Sequence, residues 1–494
     1  MKKEKNSKYG LLKVLGITFL VFAALTWIIP TGSYSGSTFT GGETSPVGLY
    51  GLFLDPLYSF GIFVQYIVVF LAIGGLYGVL NKTGAYSKIV EGLAKKFEKK
   101  KTLFLVISIV LFATITSLVG SQVATFVFVP FVIAILMTLG YSKITSLAAT
   151  VGAILVGVLG STYGTSVVFN SFLGIDANNG IIYRLIFFVI ATALYTLFVV
   201  KKNKCSKIEE IEVVEKPKRG RKKKDDSAAL GKKEEVKKID IPLYNKRDEK
   251  KSIIPLAIIL GLLALIVFTG MFNWYYTFDI EFFDKIYESI MSFEVGGIAI
   301  FAKIFGELPQ IGYFGNYDLA AVLLVSSVLI GWIYGNKIDE FIDGFVKGAK
   351  EMLLPAIYVM FASIIFAVMV NSSSNISATI SNFLFSLAEE FNVIVVSLVG
   401  LVGSVFFNDF PYLLNGIYGV LGDFDAIVYP IIPVILNATY GIAMLILPVS
   451  ITLIAGLKYM DVSYKEWAKY IWKFLVGILV ILILFALIAL AIIK

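Results

Sequence analysis

The sequence predicts an all-α polytopic membrane protein made of two inverted repeats, with about nine transmembrane helices, two re-entrant hairpins and two broken helices. Of its 494 residues, 57% are hydrophobic and only 16% are charged, and the mean hydropathy is +0.83. Charged residues alone usually make up about a quarter of a soluble globular chain. Apolar runs near the roughly 20 residues that cross a bilayer recur along the sequence. The chain is therefore too apolar for a soluble protein and is expected to be embedded in the lipid bilayer.

The composition excludes several kinds of chemistry. The chain has no histidine and a single cysteine, Cys205, which excludes His-based metal sites, His proton relays and an internal disulfide. The net charge of +8 comes from lysines in the predicted cytoplasmic loops, so it indicates membrane orientation rather than a nucleic-acid partner. Without histidine, clustered cysteine or paired deep acids, hydrolytic and metal chemistry lack their usual groups. We expect no enzymatic activity and no cofactor.

The N-terminal region predicts a cytoplasmic N-terminus in the plasma membrane. Residues 1–13 are rich in lysine, which favours the inner side. The apolar run that follows ends at Pro30 without a small-residue cleavage pattern, so we interpret it as the first span rather than a signal peptide. Residues 31–56 contain no lysine or arginine and are placed outside. A second span, about 57–80, returns to the lysine-rich stretch 82–101.

The rest of the first half predicts a surface helix, a hairpin and a broken helix. Ile89, Leu93 and Phe97 recur at helical spacing among the lysines and predict an amphipathic helix. Residues 102–139 are apolar with small and polar residues in the middle, as expected of a re-entrant hairpin. Residues 144–174 are too long for one span, and a run of Gly, Ser and Thr interrupts them.

Four regions divide the chain. The last span of the first half, about 181–200, carries Arg184, which we expect to snorkel to the outer interface. Residues 201–252 have mixed charge and few aromatic residues, so they predict a disordered cytoplasmic linker. The predicted regions are the first membrane repeat at 1–200, the linker at 201–252, a connecting span with extracellular interfacial helices at 253–317, and the second, inverted repeat at 318–494.

The two halves share one order of elements. Residues 352–457 repeat the span, surface helix, hairpin and broken helix of residues 57–174. The second surface helix lacks lysine and ends at Glu389 and Glu390, so it is placed outside and the second copy is inverted. Inverted repeats with broken helices and a site near the midplane are typical of secondary transporters.

Polar breaks in apolar segments supply the candidate site. The second hairpin is expected at 394–422, and the second broken helix at 429–457 is expected to be interrupted around 437–441 and at Pro448. By this topology the breaks at 117–125, 160–171, 404–415 and 437–452 converge. The side chains expected to bind substrate are Ser117, Ser121, Gln122, Thr125, Ser161, Thr162, Asn170, Ser404, Asn408, Asn437 and Thr439. Broken helices expose N–H groups that attract a carboxylate.

Asp409 is the candidate for ion coupling. It is an acid in an otherwise uncharged region, beside the helix-breaking Pro411. A carboxylate in hydrocarbon costs several kcal/mol unless it is paired or faces a wet cavity. It could neutralise Na⁺ or an ammonium group, or it could carry a proton. The alternative is a shallow, solvated hairpin end, and any single Ser, Thr or Gly here is more often a packing residue.

Several segments resemble the C4-dicarboxylate anaerobic carrier family, in its branch of basic amino-acid exchangers within the ion-transporter superfamily. The segments that carry the resemblance are 25–34 (LTWIIPTGSY), 81–85 (NKTGA), 130–141, 341–354 and 447–467. The resemblance implies an elevator-like motion of a hairpin-bearing domain and a homodimer. Relatives usually carry paired acids at the first hairpin tip and Asn-Pro-Phe in the first broken helix. This chain has Ser121-Gln122 and Phe169-Asn170-Ser171-Phe172 there, so the family's substrates do not transfer directly.

These observations favour a secondary transporter of a small carboxylate-bearing metabolite, such as an amino acid or a C4-dicarboxylate. Transport would be driven by Na⁺ or H⁺ or by exchange. The alternative is a channel or facilitator for small organic solutes, which would show flux without saturation or countertransport. A membrane-embedded enzyme or scaffold is the third reading. The pair of broken helices and hairpins favours the first.

Overall fold

A computed structural model describes residues 10–211, 241–247, 251–306, 308–371 and 375–494, and in that part the chain is almost entirely helical. Two short antiparallel hairpins are formed by β1 (Gly32–Ser35) with β2 (Thr38–Gly41) and β3 (Glu294–Val295) with β4 (Ile298–Ala299). The helices of the first half are α1 (Gly10–Leu25), α2 (Gly51–Lys82), α3 (Ala85–Phe97), α4 (Lys101–Val119), α5 (Gln122–Phe126), α6 (Val129–Thr138), α7 (Lys143–Leu147), α8 (Ala153–Leu159), α9 (Ser166–Phe172) and α10 (Ile181–Ile211).

The remaining helices complete the connecting region and the second half. They are α11 (Ile254–Met271), α12 (Trp274–Phe278), α13 (Phe282–Met291), α14 (Ile300–Phe305), α15 (Asn316–Ile333), α16 (Ile338–Ala362), α17 (Ile364–Asn371), α18 (Ser377–Phe385), α19 (Val393–Phe406), α20 (Phe410–Asn415), α21 (Tyr418–Gly422), α22 (Ile432–Met444), α23 (Ile451–Tyr459) and α24 (Tyr464–Ile493). Short 3₁₀ turns at Glu98–Lys100 and Ala426–Val428 and a π-helical turn at Ala148–Gly152 lie between them.

Six helical segments within the described residues are long and apolar enough to cross a bilayer. They are α2, the continuous α3–α4 segment, α10, α11, α15 and α24. α16 and α17 add a seventh if the 45° bend between them is counted within one span. The nine spans predicted from the sequence are α1, α2, α10, α11, α15, α24, the α16–α17 segment and the two broken helices. That prediction assigns α3 to the surface and α4 to a hairpin, whereas α3–α4 is long and apolar enough to span, so the total of nine stays a prediction.

The order of helices in the two halves is alike. A long helix (α2, or α16 with α17) is followed by a shorter helix (α3 or α18) and by one that ends at a break (α4 or α19). Short helices (α5–α6 or α20–α21), an interrupted helix (α8–α9 or α22–α23) and a long closing helix (α10 or α24) come next. The internal repeat expected from the sequence stays a prediction. The opposite membrane orientation of the second half stays a prediction.

α2 and α16 cross at a point where both helices carry glycines. Gly74 and Gly78 on α2 face Gly344 and Gly348 on α16. A Cβ at position 78 would lie 2.0 Å from the Gly344 carbonyl oxygen, and one at position 348 would lie 2.0 Å from that of Gly74. Only glycine lets two helices approach so closely, and small residues four apart are a common device for packing membrane helices. The two long helices therefore form one rigid wall.

Replacing Gly78 by alanine is expected to push α2 away from α16 and to lower the thermal stability of the detergent-solubilised protein. Overpacking of this kind costs roughly 1–3 kcal/mol. Gly61→Ala in the same helix is the control, because nothing lies within 4 Å of a Cβ at that position. Melting curves that coincide for Gly78→Ala, Gly61→Ala and wild type would contradict the close crossing.

The β1–β2 hairpin reaches from the end of α1 to the second half. Thr379 on α18 donates its hydroxyl to the Pro30 carbonyl oxygen at 2.8 Å. At the hairpin tip, Gly36 lies against Gly419 on α21, where a Cβ would be 2.0 Å from the Gly36 carbonyl oxygen. Segment 31–56 was expected as an irregular loop, so this hairpin and its contact with α21 are additions that the structure makes.

Two boundaries differ from the sequence predictions. The helix α10 continues to Ile211, past the expected linker start at residue 201. Most of the predicted disordered linker lies outside the described residues, but 241–247 are described and pack against the helices. The expected interruption at 437–441 is wrong, because α22 runs without a break from Ile432 to Met444. Its polar side chains bond back to the preceding turn, and the real break follows Met444 and contains Pro448.

Candidate functional site

A cavity of about 540 Å³ lies where the breaks of both halves meet. This volume is within the range of about 300–1,000 Å³ that is usual for small-molecule sites. Its polar lining comes from the breaks of both halves and from the helices α2 and α15. The lining residues are Gln65, Tyr66, Val119, Gly120, Ser121, Gln122, Val123, Gly164, Thr165, Val168, Met271, Phe314, Gly315, Asn316, Asn408, Asp409, Phe410, Pro411, Tyr440, Ile451 and Thr452.

Four helices begin at this cavity: α5, α9, α20 and α23. Three of them have a side-chain N-cap. Ser121 accepts a hydrogen bond from the Ala124 amide at 3.2 Å, Asp409 accepts one from Tyr412, and Ser450 accepts one from Leu453, the last two at 3.4 Å. The first amides of a helix lack intrahelical partners and carry partial positive charge. Their convergence favours binding of a carboxylate group.

The first hairpin tip is fixed to the first broken helix through Ser117. Its hydroxyl donates to the Gly160 carbonyl oxygen at 2.9 Å, and its own carbonyl accepts the amides of Thr162, Tyr163 and Gly164 at 2.9–3.2 Å. Ser117 is 1% exposed. The hydroxyl therefore joins two breaks behind the cavity instead of pointing into it.

Gly120 and Gly164 bring the two breaks into backbone contact. A Cβ at position 164 would lie 2.6 Å from both the Cα and the N of Gly120. Gly120 itself has φ +79°, a conformation that favours glycine. Both residues line the cavity, so the absence of side chains at these positions sets how closely the two breaks approach and thereby the shape of the cavity.

We expect Gly164→Ala to separate the two breaks and to weaken substrate binding, with a smaller effect on the overall fold. Displacement of a positioning element by about 1 Å can cost about 100-fold in function. Uptake in proteoliposomes measures this effect. Gly477→Ala in α24 is the control, since nothing lies within 4 Å of a Cβ there. Full uptake by Gly164→Ala would contradict the role of this contact.

Arg184 does not snorkel to the interface as the sequence suggested. It is 1% exposed, and its guanidinium donates to the carbonyl oxygens of Thr162 at 2.6 Å, of Asn179 at 3.1 Å and of Ala177. It also lies 5.8 Å from the centroid of the Tyr163 ring. The reason is local: the broken helix leaves carbonyl oxygens without donors, and arginine supplies several donors in a fixed fork. A buried cation thus lies directly behind the first break.

The second hairpin tip is held by Asn408. Its side-chain amide donates from Nδ2 to the Ser363 hydroxyl at 3.0 Å, and its backbone carbonyl accepts the Tyr440 hydroxyl at 2.7 Å. The Ser363 hydroxyl donates in turn to the Val359 carbonyl oxygen. This sequence of donors fixes the amide orientation and leaves Asn408 Oδ1 buried without a hydrogen-bond partner among the described residues.

Asp409 is half-buried and lines the cavity beside Asn408. Its Oδ1 caps α20 through the Tyr412 amide. No other aspartate or glutamate and no lysine or arginine lines the cavity in the described part of the chain. The carboxylate therefore has a structural bond on one side and the cavity on the other.

Helices α2 and α15, on the side of the cavity opposite the breaks, carry polar residues that the sequence did not predict as part of the site. Asn316, at the start of α15, donates its side-chain amide to Gln65 on α2 at 3.2 Å, and it lies beside Tyr66. Gln122 at the first tip lies beside Tyr440 from the second half. Gln65 is a lone amide within an apolar span, which is the signal that could have marked it.

The structure brings four of the twelve predicted site residues to the cavity wall: Ser121, Gln122, Asn408 and Asp409. Among the others, Thr162 and Ser117 bond to each other, Ser161 bonds to Ser166, and Asn170 donates to the Asp176 carbonyl oxygen. Ser404, Asn437 and Thr439 donate to backbone carbonyls four residues earlier in their own helices, and Asn437 also accepts from Thr165. Thr125 lines a separate, apolar cavity of about 450 Å³.

A family model and one relative both point to a membrane transporter. The family model described as C4-dicarboxylate anaerobic carrier matches residues 10–491. An Escherichia coli (strain K12) protein named "Putative basic amino acid antiporter YfcC" is 22% identical over 459 residues, which cover 90% of this chain and 81% of that protein. The solved structure of the Alcanivorax borkumensis YdaH transporter is 13% identical, covers 98% of each chain, and has a TM-score of 0.41.

Proposed function

Since this chain belongs to the C4-dicarboxylate anaerobic carrier family and is a membrane transporter, we propose that it is a secondary active transporter of a small carboxylate-bearing metabolite, an amino acid or a C4-dicarboxylate. The observation that carries the proposal is the cavity at which four helices begin and two halves of the chain meet. Such a site recognises a carboxylate through backbone amides and helix dipoles.

The lining favours a zwitterion over a dianion. Asp409 is the acid in the cavity wall, and the described lining residues include no lysine or arginine. A dicarboxylate would place one of its charges near this carboxylate without a facing cation, which is unfavourable. An amino acid could instead place its carboxylate at the helix starts near Ser121 and Thr165 and its ammonium group near Asp409 and Asn408 Oδ1. We therefore propose an amino acid as the first substrate class to test.

Coupling is proposed at the second hairpin tip. The carboxylate of Asp409 and the unpaired Asn408 Oδ1 lie on adjacent residues at the cavity. Hard oxygen ligands of this kind suit Na⁺, and a carboxylate that faces a cavity could instead carry H⁺. Exchange of one substrate for another, the activity in the name of the Escherichia coli relative, is the third mode.

The movement that we propose is of elevator type, in a homodimer in the plasma membrane with a cytoplasmic N-terminus. The close crossing of α2 and α16 supplies a rigid wall on one side of the cavity. The first tip is fixed to the first broken helix by Ser117 and Gly164, and the second tip is fixed to α22 by the bond from Tyr440 to the Asn408 carbonyl oxygen. These elements supply the body that would move against the wall, and the bond from Asn408 to Ser363 at the end of α16 would break in that movement. The helices follow a similar order in the two halves, and this similarity supports an inverted repeat.

A binding panel tests the substrate and the ion together. The purified protein is heated with each of a set of amino acids and dicarboxylates, with and without Na⁺, and the melting midpoint is recorded. A ligand at about 100 times its Kd stabilises the folded state by about 2.7 kcal/mol. We expect amino acids to raise the midpoint more than dicarboxylates do. Uptake in proteoliposomes that does not saturate would favour a channel and contradict the proposal.

A further inference from the structure

Residues 241–247, here called the strap, lie in a groove between helices. Asn81 on α2 donates its side-chain amide to the Leu243 carbonyl oxygen at 2.9 Å and accepts the Asn245 amide at 3.0 Å. Ser87 on α3 donates to the Asn245 carbonyl oxygen at 2.8 Å and accepts the Arg247 amide at 3.1 Å. The backbone of the strap is thus recognised by paired side-chain bonds, in the way that a receptor binds an extended peptide.

The strap also bonds to α16 and α23. The Leu243 amide donates to the Glu351 carboxylate on α16 at 2.8 Å, and the Tyr459 hydroxyl on α23 donates to the Pro242 carbonyl oxygen at 2.9 Å. Leu243 is 2% exposed and has φ +52°. A leucine rarely adopts this left-handed conformation unless its surroundings impose it. The strap is therefore held in a strained form by contacts to four helices.

Two side chains of the strap contact α3. Lys246 forms an ion pair with Glu91 on α3 at 2.9 Å, and the Tyr244 ring contacts the Tyr86 ring at 5.9 Å between centroids. Partial burial and the nearby Glu91 carboxylate raise the pKa of Tyr244 to about 12, so its hydroxyl is neutral when the strap is bound.

The strap bonds to two helices that also line the cavity, α2 and α23, at positions away from the cavity. α2 lines the cavity with Gln65 and Tyr66 and bonds the strap at Asn81. α23 lines the cavity with Thr452 and bonds the strap at Tyr459. α2 and α16 pack closely against each other. If α23 moves away from them at the end that carries Tyr459, the hydrogen bond from Tyr459 to the strap must break.

We propose that the strap is a cytoplasmic latch, which holds α23 against the α2–α16 wall and must leave its groove before the cavity opens to the cytoplasm. This proposal rests on the proposed transport function and adds a control element to it. The strap belongs to the charged segment that joins the two halves of the chain.

The opening itself is tested with a single reporter cysteine. Thr452→Cys is made in a Cys205→Ser background and labelled by a membrane-impermeant maleimide from the cytoplasmic side. Tyr459→Phe removes only the bond from α23 to the strap, and we expect labelling to become roughly threefold to tenfold faster, the effect of one lost hydrogen bond on an equilibrium. Tyr464→Phe is the matched control, since its hydroxyl donates to the Ile446 carbonyl oxygen and not to the strap. Equal labelling rates in all three proteins would overturn the latch.

A reversible lock tests the consequence for transport. Glu91→Cys with Lys246→Cys, again without Cys205, is joined by a short bifunctional thiol reagent that a reductant cleaves. After cross-linking, uptake of the substrate found in the binding panel should fall to background, and it should return on reduction. The same reagent should not change uptake by either single-cysteine variant. Uptake that continues at the full rate after cross-linking overturns the latch. If the reduced protein and wild type take up none of the panel, the transport proposal fails, and the labelling result still decides the latch.

Discussion

Replacing Asp409 by asparagine is expected to abolish coupled uptake while leaving the fold intact. Asparagine caps a helix as well as aspartate does, so the bond from the Tyr412 amide to the side chain at 409 is kept. What is lost is the charge at the cavity, and with it the neutralisation of Na⁺, H⁺ or an ammonium group. Uptake in proteoliposomes should fall to background, and the melting midpoint without ligand should stay near that of wild type.

The control separates charge at the cavity from charge in general. Asp425 also caps a turn, by accepting the Ile427 amide at 3.0 Å, but it is exposed and away from the cavity. Asp425→Asn should transport as wild type does. Asp409→Ala removes both charge and cap, so it should lose uptake and also about 1 kcal/mol of stability. Wild-type coupled uptake by Asp409→Asn would exclude the coupling role.

Replacing Arg184 by methionine is expected to have the largest effect on stability. Methionine fills part of the space but removes the donors that Arg184 supplies to the carbonyl oxygens of Thr162, Ala177 and Asn179. Ala177 and Asn179 keep only the long bonds from Asn170 Nδ2, at 3.5 and 3.4 Å. A hydrogen bond to a charged group contributes roughly 1.5–3 kcal/mol, so the free energy of unfolding should fall by more than roughly 3 kcal/mol, with loss of ligand-induced stabilisation, since the first break would no longer be held.

Two further variants show whether the fork or the charge matters. Arg184→Lys keeps the charge but not the fork of donors, so it should fall between wild type and Arg184→Met. Lys201→Met removes a base from the exposed end of the same helix and should melt as wild type does. The measurement is the thermal unfolding midpoint in detergent, with and without substrate. Equal midpoints for Arg184→Met and wild type would exclude the supporting role.

The sequence predicts the general plan because membrane insertion leaves few alternatives. Apolar length marks the spans, and clusters of small and polar residues mark the first hairpin tip near Gly120 and the first broken helix before Ser166. The second hairpin tip around Asp409 is found for the same reason. These are local signals, and each one is visible in a window of a few residues.

The remaining features depend on which helices become neighbours. Gln65 and Asn316 are lone polar residues in different helices, and only the packing of α15 on α2 brings them together at 3.2 Å. Asn437 and Thr439 resemble a helix break in the sequence, but their side chains bond to carbonyls of their own helix. Arg184 shows the opposite error, because one of the carbonyl oxygens that accept its guanidinium, that of Thr162, lies in a break 22 residues earlier in the chain.

The contact between Gly36 and Gly419 has a consequence for natural variation. These positions lie 383 residues apart, yet a Cβ at 419 would lie 2.0 Å from the Gly36 carbonyl oxygen, so Gly419 cannot gain a side chain unless the hairpin tip moves. At Gly36 the space is open, and the positive φ of +61° is what favours glycine there. A relative that carries a larger residue at the position of Gly419 must therefore shorten or redirect its β1–β2 turn. Changes at position 419 that accompany changes in the turn, read from sequences alone, would show which members of the family keep the β1–β2 hairpin in this place.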